Sequence, residues 1–156
     1  MRDAATVLEI IRERGRKGLP LERVYRCLFN PDLFLLAYGK LYRNTGAMTP
    51  GTTRETVDGM SLDKIETIIT VLRQERYRWT PVRRTYIDKK GTRKKRPLGL
   101  PTWSDKLVQE VIRLVLEAYY EPQFSDRSHG FRSGRGCHTA LREIYHQWHG
   151  AVWFIE

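Results

Sequence analysis

Cysteine, long apolar runs and acidic residues are the scarce features of this chain. Two cysteines, Cys27 and Cys137, are all that 156 residues contain, too few and too unpatterned for a disulfide framework. A reducing compartment follows, cytoplasmic in a bacterium or organellar. No apolar run is long enough to span a bilayer, and residues 1–11 carry no signal-peptide pattern, so a membrane is not among the expected partners. Repeats and low-complexity tracts are missing too, which excludes solenoid architectures. Acids are outnumbered: 18 Asp and Glu face 28 Lys and Arg, for a formal net charge of +10. Each phosphate met by a lysine or arginine releases a condensed counterion, so this imbalance favours a polyanion, nucleic acid first.

With 40% hydrophobic residues the chain can close one modest core. Its apolar spacing predicts mostly helices. Val7, Leu8 and Ile11 mark a helix over residues 4–14, interrupted by Gly15 and Gly18. Leu21, Val24, Leu28 and Phe29 predict a second over residues 21–29. Asn30 and Pro31 end it and start a third, carrying Leu33, Phe34, Ala37, Tyr38 and Leu41 on one face. Residues 44–52 are rich in turn formers and predict an exposed loop with special backbone angles. A strong helix follows, with Leu62, Ile65, Ile68, Ile69 and Leu72 inward and Ser61 as its cap.

The period then changes. Residues 82–87 and 95–100 read as two strands around a turn at residues 90–92, a basic β-hairpin. On such a ribbon Arg84 and Tyr86 share one face while Arg83 and Ile87 take the other. Ser104 is placed to cap a helix running to about Tyr119, with Leu107, Val108, Val111, Ile112, Val115 and Leu116 inward and Gln109 and Arg113 on a polar stripe. Residues 121–136 are loop-like and residues 137–145 helical. Residues 151–156 have the look of a buried strand, and a chain stopping there is expected to be truncated. The fold class is α+β, helices packed around a basic antiparallel hairpin.

The hairpin gathers Arg83, Arg84, Lys89, Lys90, Arg93, Lys94, Lys95 and Arg96 against a single acid, Asp88. Charge alone leaves two readings open, a solvated basic turn and a phosphate-gripping ribbon. Cys137, His138, His146 and His149 match no zinc spacing, so no metal site is assigned.

The order of motifs goes further. Tyr86-Ile87-Asp88-Lys89, Arg96-Pro97-Leu98-Gly99-Leu100-Pro101, Asp105-Lys106-Leu107-Val108-Gln109 and Ser128-His129-Gly130-Phe131-Arg132-Ser133-Gly134-Arg135 together resemble the fingers blocks of the group II intron reverse transcriptase/maturase family. The loop Asn44-Thr45-Gly46-Ala47-Met48-Thr49-Pro50-Gly51, with Thr56-Val57-Asp58-Gly59-Met60 after it, is similar to that family's N-terminal extension block. The resemblance implies a helical extension with a template-lid loop over residues 1–60, fingers over 61–136, and the start of a palm over 137–156.

By the same resemblance Lys89, Arg96, Phe131 and Arg132 would bind the incoming nucleotide. Gly46, Thr49, Gly51, Arg83, Arg84, Lys90, Arg93, Lys94, Lys95 and Gln109 would contact template or other RNA. The family's Ile-Pro-Lys is Ile87-Asp88-Lys89 here, which sets an acid beside a proposed phosphate ligand. Implied partners are group II intron RNA, an RNA template with a DNA primer, and dNTPs, and a homodimer is compatible with the pattern. Mg2+ would serve the full-length enzyme through aspartates not present in this segment, so the segment itself is expected to bind RNA without metal or synthesis. The acids present, Asp105, Asp126 and Glu156, are read as structural. Two other readings stay open: a non-enzymatic maturase module, and a retron or diversity-generating reverse transcriptase.

Overall fold

In the computed structural model residues 2–150 are described. They form six helices and one two-stranded antiparallel sheet, an α+β arrangement. The strand expected over residues 151–156 lies outside the described residues.

Helix α1, Ala4–Arg16, begins where the Asp3 carboxylate accepts the Thr6 N–H at 2.9 Å. That bond holds the exposed Asp3 carboxyl below the usual carboxylate range. The helix continues through Gly15 instead of stopping there, because Gly15 lies against helix α5, Trp103–Tyr120. A Cβ at position 15 would sit 2.1 Å from the Tyr119 carbonyl oxygen, so only a bare Cα lets the two helices approach this closely. The Tyr119 hydroxyl donates to the Leu19 carbonyl at 2.8 Å, tying the chain after α1 to the same helix.

Helix α2 is shorter than its periodicity implied, Val24–Cys27. Arg23 takes a left-handed conformation, φ 52°, which breaks the helical path that Leu21 would otherwise enter. Helix α3, Pro31–Tyr42, starts as expected, with Asn30 accepting from the Asp32 N–H. Helix α4, Leu62–Arg73, is capped by Ser61. The Tyr25 hydroxyl donates to the Leu72 carbonyl at the far end of α4, 2.7 Å away.

Helix α5 is the centre of the packing. Leu107, Val108, Val111 and Val115 are fully buried against Leu33, Phe34 and Ala37 of α3, and Ile65, Ile68, Ile69 and Leu72 complete the cluster. Each such side chain contributes roughly 1.5–3 kcal/mol of transfer free energy. The same core takes Ile11 from α1 and Val57, so the boundary drawn at residues 60 and 61 runs through continuous packing. Leu116, expected inward, is exposed, and Leu114 and Ala118 are buried in addition.

The start of α5 differs from expectation. Its cap is Thr102, whose Oγ1 accepts the Asp105 N–H, and Ser104 instead meets the Glu55 carboxylate. Asp105 decides the matter. Its buried carboxylate accepts from Thr102 Oγ1 at 2.8 Å, the Tyr77 hydroxyl at 2.7 Å and the Thr80 N–H at 3.1 Å. A residue read as structural is thus the hub joining α5 to the segment before the hairpin.

Burial, then the bond to Asp105, pushes the Tyr77 phenol well above its ordinary pKa. The folded state therefore keeps a proton that the unfolded chain loses near pH 10. The stability Tyr77 contributes is complete below about pH 10 and is lost as the pH rises further, toward the folded value. Melting curves from neutral to alkaline pH are expected to fall above about pH 10, and to fall less steeply for Tyr77→Phe. Equal slopes in the two proteins would show that the buried phenol is not the group responsible.

Strands β1, Arg83–Asp88, and β2, Lys95–Leu100, form the expected hairpin. Their side chains are exposed apart from Thr85 and Leu100. Helix α6, Cys137–Gln147, follows the long loop and runs slightly beyond its predicted end.

Candidate nucleic-acid interface

Pairing in the hairpin sorts its cations by face. Arg83 opposes Leu100, Thr85 opposes Leu98, and Ile87 opposes Arg96; these six share one face. Arg84 opposes Gly99, Tyr86 opposes Pro97, and Asp88 opposes Lys95 on the other. The pairing extends one step into the turn, where the Lys89 N–H donates to the Lys94 carbonyl at 3.0 Å. Alternation carries Lys89 and Lys94 onto the face of Arg96. Gly91, at φ +78°, supplies the left-handed residue the turn needs, with Lys90 just before it and Arg93 two residues after.

Asp88 falls on the opposite face from Arg96, with the Lys95 ammonium 3.6 Å from its carboxylate. Both are solvent-exposed, so the pair contributes little to stability. Its consequence is electrostatic: the acid that departs from the family pattern is directed to Lys95 and away from the face of Arg96.

The Arg83 face borders a groove of about 590 Å³ at the base of the hairpin, lined by Arg83, Thr85, Leu98, Trp103, Lys106 and the 44–49 loop. That loop is not the freely exposed segment its composition implied. Trp103 Nε1 donates to the Ala47 carbonyl at 2.7 Å, Lys106 Nζ to the Thr49 carbonyl at 3.0 Å, and Arg83 Nε and Nη2 to the Pro50 carbonyl at 3.2 and 2.9 Å. Ala47 and Gly51 are buried, and left-handed backbone falls elsewhere in the described residues. Two turns, closed by the Ala47 and Thr49 amides on the Asn44 and Gly46 carbonyls, bend the loop with ordinary backbone angles. Gly46, Thr49 and Arg83 therefore meet at one groove, while Gly51 lies beneath, against Pro101.

Phe131 and Arg132 part company. Phe131 is fully exposed at φ 57°, strained for a bulky residue, and borders a surface with Gln109, Leu116, Tyr120 and Phe124. Arg132 turns inward: its guanidinium binds Glu121 at 2.9 Å, donates to the Ser125 and Ser128 carbonyls, and lies 5.3 Å from the Phe124 ring centre. Those contacts staple the 121–132 loop together. Arg113, beside Gln109, is held by Glu110 and Glu117. His129, bridging Glu143 and Thr139, ties the same loop to α6. The loop, Phe131 included, is thus anchored at both sides.

Lys106 and Trp103 belong to the groove, although the sequence assigns neither of them to the site. A signal existed: Lys106 lies in the first turn of α5, where the helix dipole disfavours a cation, so something other than helix stability places it there. Partial burial draws its ammonium below the ordinary lysine pKa.

No family model matches the chain. Individual proteins do. The group II intron-encoded protein LtrA of Lactococcus lactis subsp. cremoris is 47% identical over 158 residues, covering 100% of this chain and 26% of that protein. An uncharacterized 91 kDa protein in the cob intron of Schizosaccharomyces pombe is 53% identical over 129 residues, 83% of this chain and 16% of its own length. Nuclear intron maturase 1, mitochondrial, of Arabidopsis thaliana is 43% identical over 56 residues, 36% of this chain and 8% of that one. The chain spans about a quarter of the length of the first of these relatives, 26%, and less of the others.

Proposed function

The chain belongs to the group II intron-encoded reverse transcriptase/maturase family, and from that premise we propose that it forms the fingers and N-terminal extension of an RNA-directed DNA polymerase. The parent protein would also bind its own intron RNA, in splicing and mobility. In this reading residues 1–60 are the extension with its lid loop, residues 61–136 the fingers, and the palm begins at residue 137. A bacterial cytoplasm or an organelle would house it; no described helix is long and apolar enough to cross a membrane.

One observation carries the reading. The hairpin register aligns Arg96, Lys89 and Lys94 with Arg83 on the face that borders the groove, whereas Asp88 lies opposite. A row of cations along one face of a ribbon can follow a polyanion, and two of them toward the turn can meet a triphosphate. Lys89 and Arg96 would then neutralise charge that builds on the leaving pyrophosphate, a contribution made by position and electrostatics. Arg93, Lys90 and Lys94 at the tip, with Arg84 and Lys95 behind, would hold template or intron RNA. Phe131, exposed beside Gln109, would border the nucleotide, and Arg132 would serve it by fixing the Phe131 loop.

Among the described residues the acids do not form a divalent-ion site. Asp105 accepts from three donors, the exposed Asp126 pairs with Arg135, and Glu121 pairs with Arg132. Among the described residues no three His, Cys, Asp or Glu side chains are grouped to hold a metal. In this reading Mg2+ belongs to the whole protein, and this chain alone would bind RNA without making DNA.

RNA titrations over a range of salt concentrations test the division of labour. Neutralising Arg93, Lys94 and Lys95 together is expected to reduce the log–log salt slope by roughly 1.5–2, at about 0.7 per phosphate on a single strand. Arg96→Ala in the full-length protein is expected to raise the KM for dNTPs by roughly 10- to 100-fold, as for one lost charge-assisted contact, with a near-normal RNA slope. Equal losses of both properties in both variants would refute the partition, and DNA synthesis by this chain alone would refute the claim that it only grips.

A further inference from the structure

Helix α6 has no buried residue, and among the described residues the side-chain bonds that tie it to the 121–135 loop meet at His129. That ring reaches across with both nitrogens, Nδ1 lying 2.9 Å from Thr139 Oγ1 and Nε2 2.8 Å from Glu143 Oε2. The His129 and Glu143 side chains are only 14% and 16% exposed. Proton counting fixes how the ring is used. The Gly136 carbonyl already accepts the Thr139 and Ala140 amides at 3.0 and 3.1 Å, and Thr139 Oγ1 accepts the Gly136 N–H at 2.9 Å. The single hydroxyl hydrogen of Thr139 is therefore available to Nδ1, which leaves the ring hydrogen on Nε2, facing a carboxylate that can only accept. The opposite tautomer would set a lone pair against the Glu143 oxygen. The imidazolium fits too, with the Thr139 hydroxyl turned to the Gly136 carbonyl 2.7 Å away. In both permitted states Nε2 donates to Glu143.

Two residues further on, Phe131 sits at φ 57° with its ring in solvent. A left-handed angle strains a bulky residue and persists only where its surroundings over-determine it. The exposed phenyl supplies no such hold, and Gly130 beside it lies in open space, where even a Cβ would meet nothing within 4 Å. The hold comes from the neighbours instead. His129 pins the chain to α6 on one side, and Arg132 pins it on the other to Glu121 and to the Ser125 and Ser128 carbonyls. We propose that His129 is a positioning residue for nucleotide use: donating to Glu143, with Thr139 selecting its tautomer, it keeps residue 131 left-handed and so aims the Phe131 ring at the nucleotide. This deepens the reading given above and rests on Phe131 bordering the nucleotide. Released from Glu143, residue 131 relaxes toward ordinary backbone angles and carries its ring away. The neighbouring cations are committed elsewhere, Arg132 to Glu121 and Arg135 to Asp126, so neither replaces the imidazole.

Steady-state DNA synthesis by the full-length protein, on an RNA template with a DNA primer, tests this. His129→Ala is expected to raise the KM for dNTPs roughly 10-fold, the worth of one such hydrogen bond, with kcat within about 2-fold of the wild type. His129→Gln, whose amide nitrogen can reach where Nε2 lies, is expected to recover most of the loss; His129→Asn, which reaches only the position of Nδ1, is not. Phe131→Ala is expected to raise KM at least as far as His129→Ala, and the double variant no further than Phe131→Ala alone, because the two residues act in one line. Additive losses, a fall in kcat at constant KM, or better recovery by asparagine than by glutamine would overturn the proposal. If His129→Ala does not fold, Glu143→Ala removes the acceptor with the imidazole in place and carries the same expectations. A raised KM in Phe131→Ala with His129→Ala silent overturns the positioning role alone. A wild-type KM in Phe131→Ala overturns the nucleotide role of Phe131, and no synthesis by the wild-type protein overturns the polymerase reading; the proposal falls with either.

Discussion

Asp105→Ala is expected to lower the unfolding free energy by about 3–5 kcal/mol, the cost of leaving several buried polar groups without their partner. Three donors converge on this carboxylate, and they differ in what they can do without it. The Tyr77 and Thr102 hydroxyls can rotate, but the Thr80 N–H cannot, and Asp105 itself is only 2% exposed. In a domain of this size about 4 kcal/mol is a drop of about 10 °C in Tm. Urea unfolding should show a lower midpoint with an unchanged slope, since the loss lies in the native state. Asp105→Asn keeps the shape but turns one acceptor into a donor, facing either the phenol or the amide, and is expected to cost about 1.5–3 kcal/mol. A change below about 1 kcal/mol for the alanine variant would mean that Thr102 alone holds the start of α5.

Gly51→Ala carries the second large effect, through backbone instead of hydrogen bonds. A Cβ there would lie 2.4 Å from the Pro101 oxygen, 2.6 Å from its carbonyl carbon and 2.7 Å from the Thr102 nitrogen. None of these atoms belongs to a flexible side chain, and Thr102 is already committed to capping α5. The loop must therefore withdraw, stretching the bonds from Lys106 to Thr49 and from Arg83 to Pro50. A loss of about 2–3 kcal/mol or more is expected, measured by thermal or urea unfolding, with RNA affinity falling along with it. Gly46→Ala is the internal control. Its Cβ would meet only the Thr49 hydroxyl, at 4.0 Å, and stability should change by less than about 0.5 kcal/mol. Similar losses at the two positions would show that loop entropy, and not contact with Pro101, governs this segment.

Asp105 and Gly51 act on neighbouring points. Asp105 secures the first turn of α5 from the side of Tyr77 and Thr80, while Gly51 lets the lid loop lie against the residues just before it. The hairpin emerges between these two supports, with Pro81 accepting from the Thr52 hydroxyl at its base. An exposed, highly charged ribbon is thereby planted beside a hydrogen-bonded corner of the core.

Much of this was legible in the order of residues because it is local. Helical spacing located α1, α3, α4, α5 and α6, and Asn30 and Ser61 could be read as caps because a cap needs only the next turn of chain. Alternation around Gly91 assigned Arg83 and Ile87 to one face of the hairpin and Arg84 and Tyr86 to the other. The ordered motifs named the family. Three readings needed more than neighbours. The helix over residues 21–29 shrank because Arg23 adopts a left-handed angle, which its own side chain does not announce. Thr102 displaced Ser104 as cap because the choice depends on Asp105, and Asp105 depends on Tyr77 and Thr80, a turn-rich stretch away in sequence. The family resemblance grouped Arg132 with Phe131, yet Glu121 and two carbonyls draw it inward while Phe131 is left outside.

Composition, period and motif order thus determined on their own that the chain is basic, α+β and a member of its family, and that a ribbon of cations projects from it. Each of those properties depends on residues a few places apart. Only the tertiary structure decided what becomes of the loop between Asn44 and Gly51. Its carbonyls are held by side chains 33 to 57 positions away, and which edge of a peptide faces outward is settled by the partner on its other edge, something no local pattern encodes.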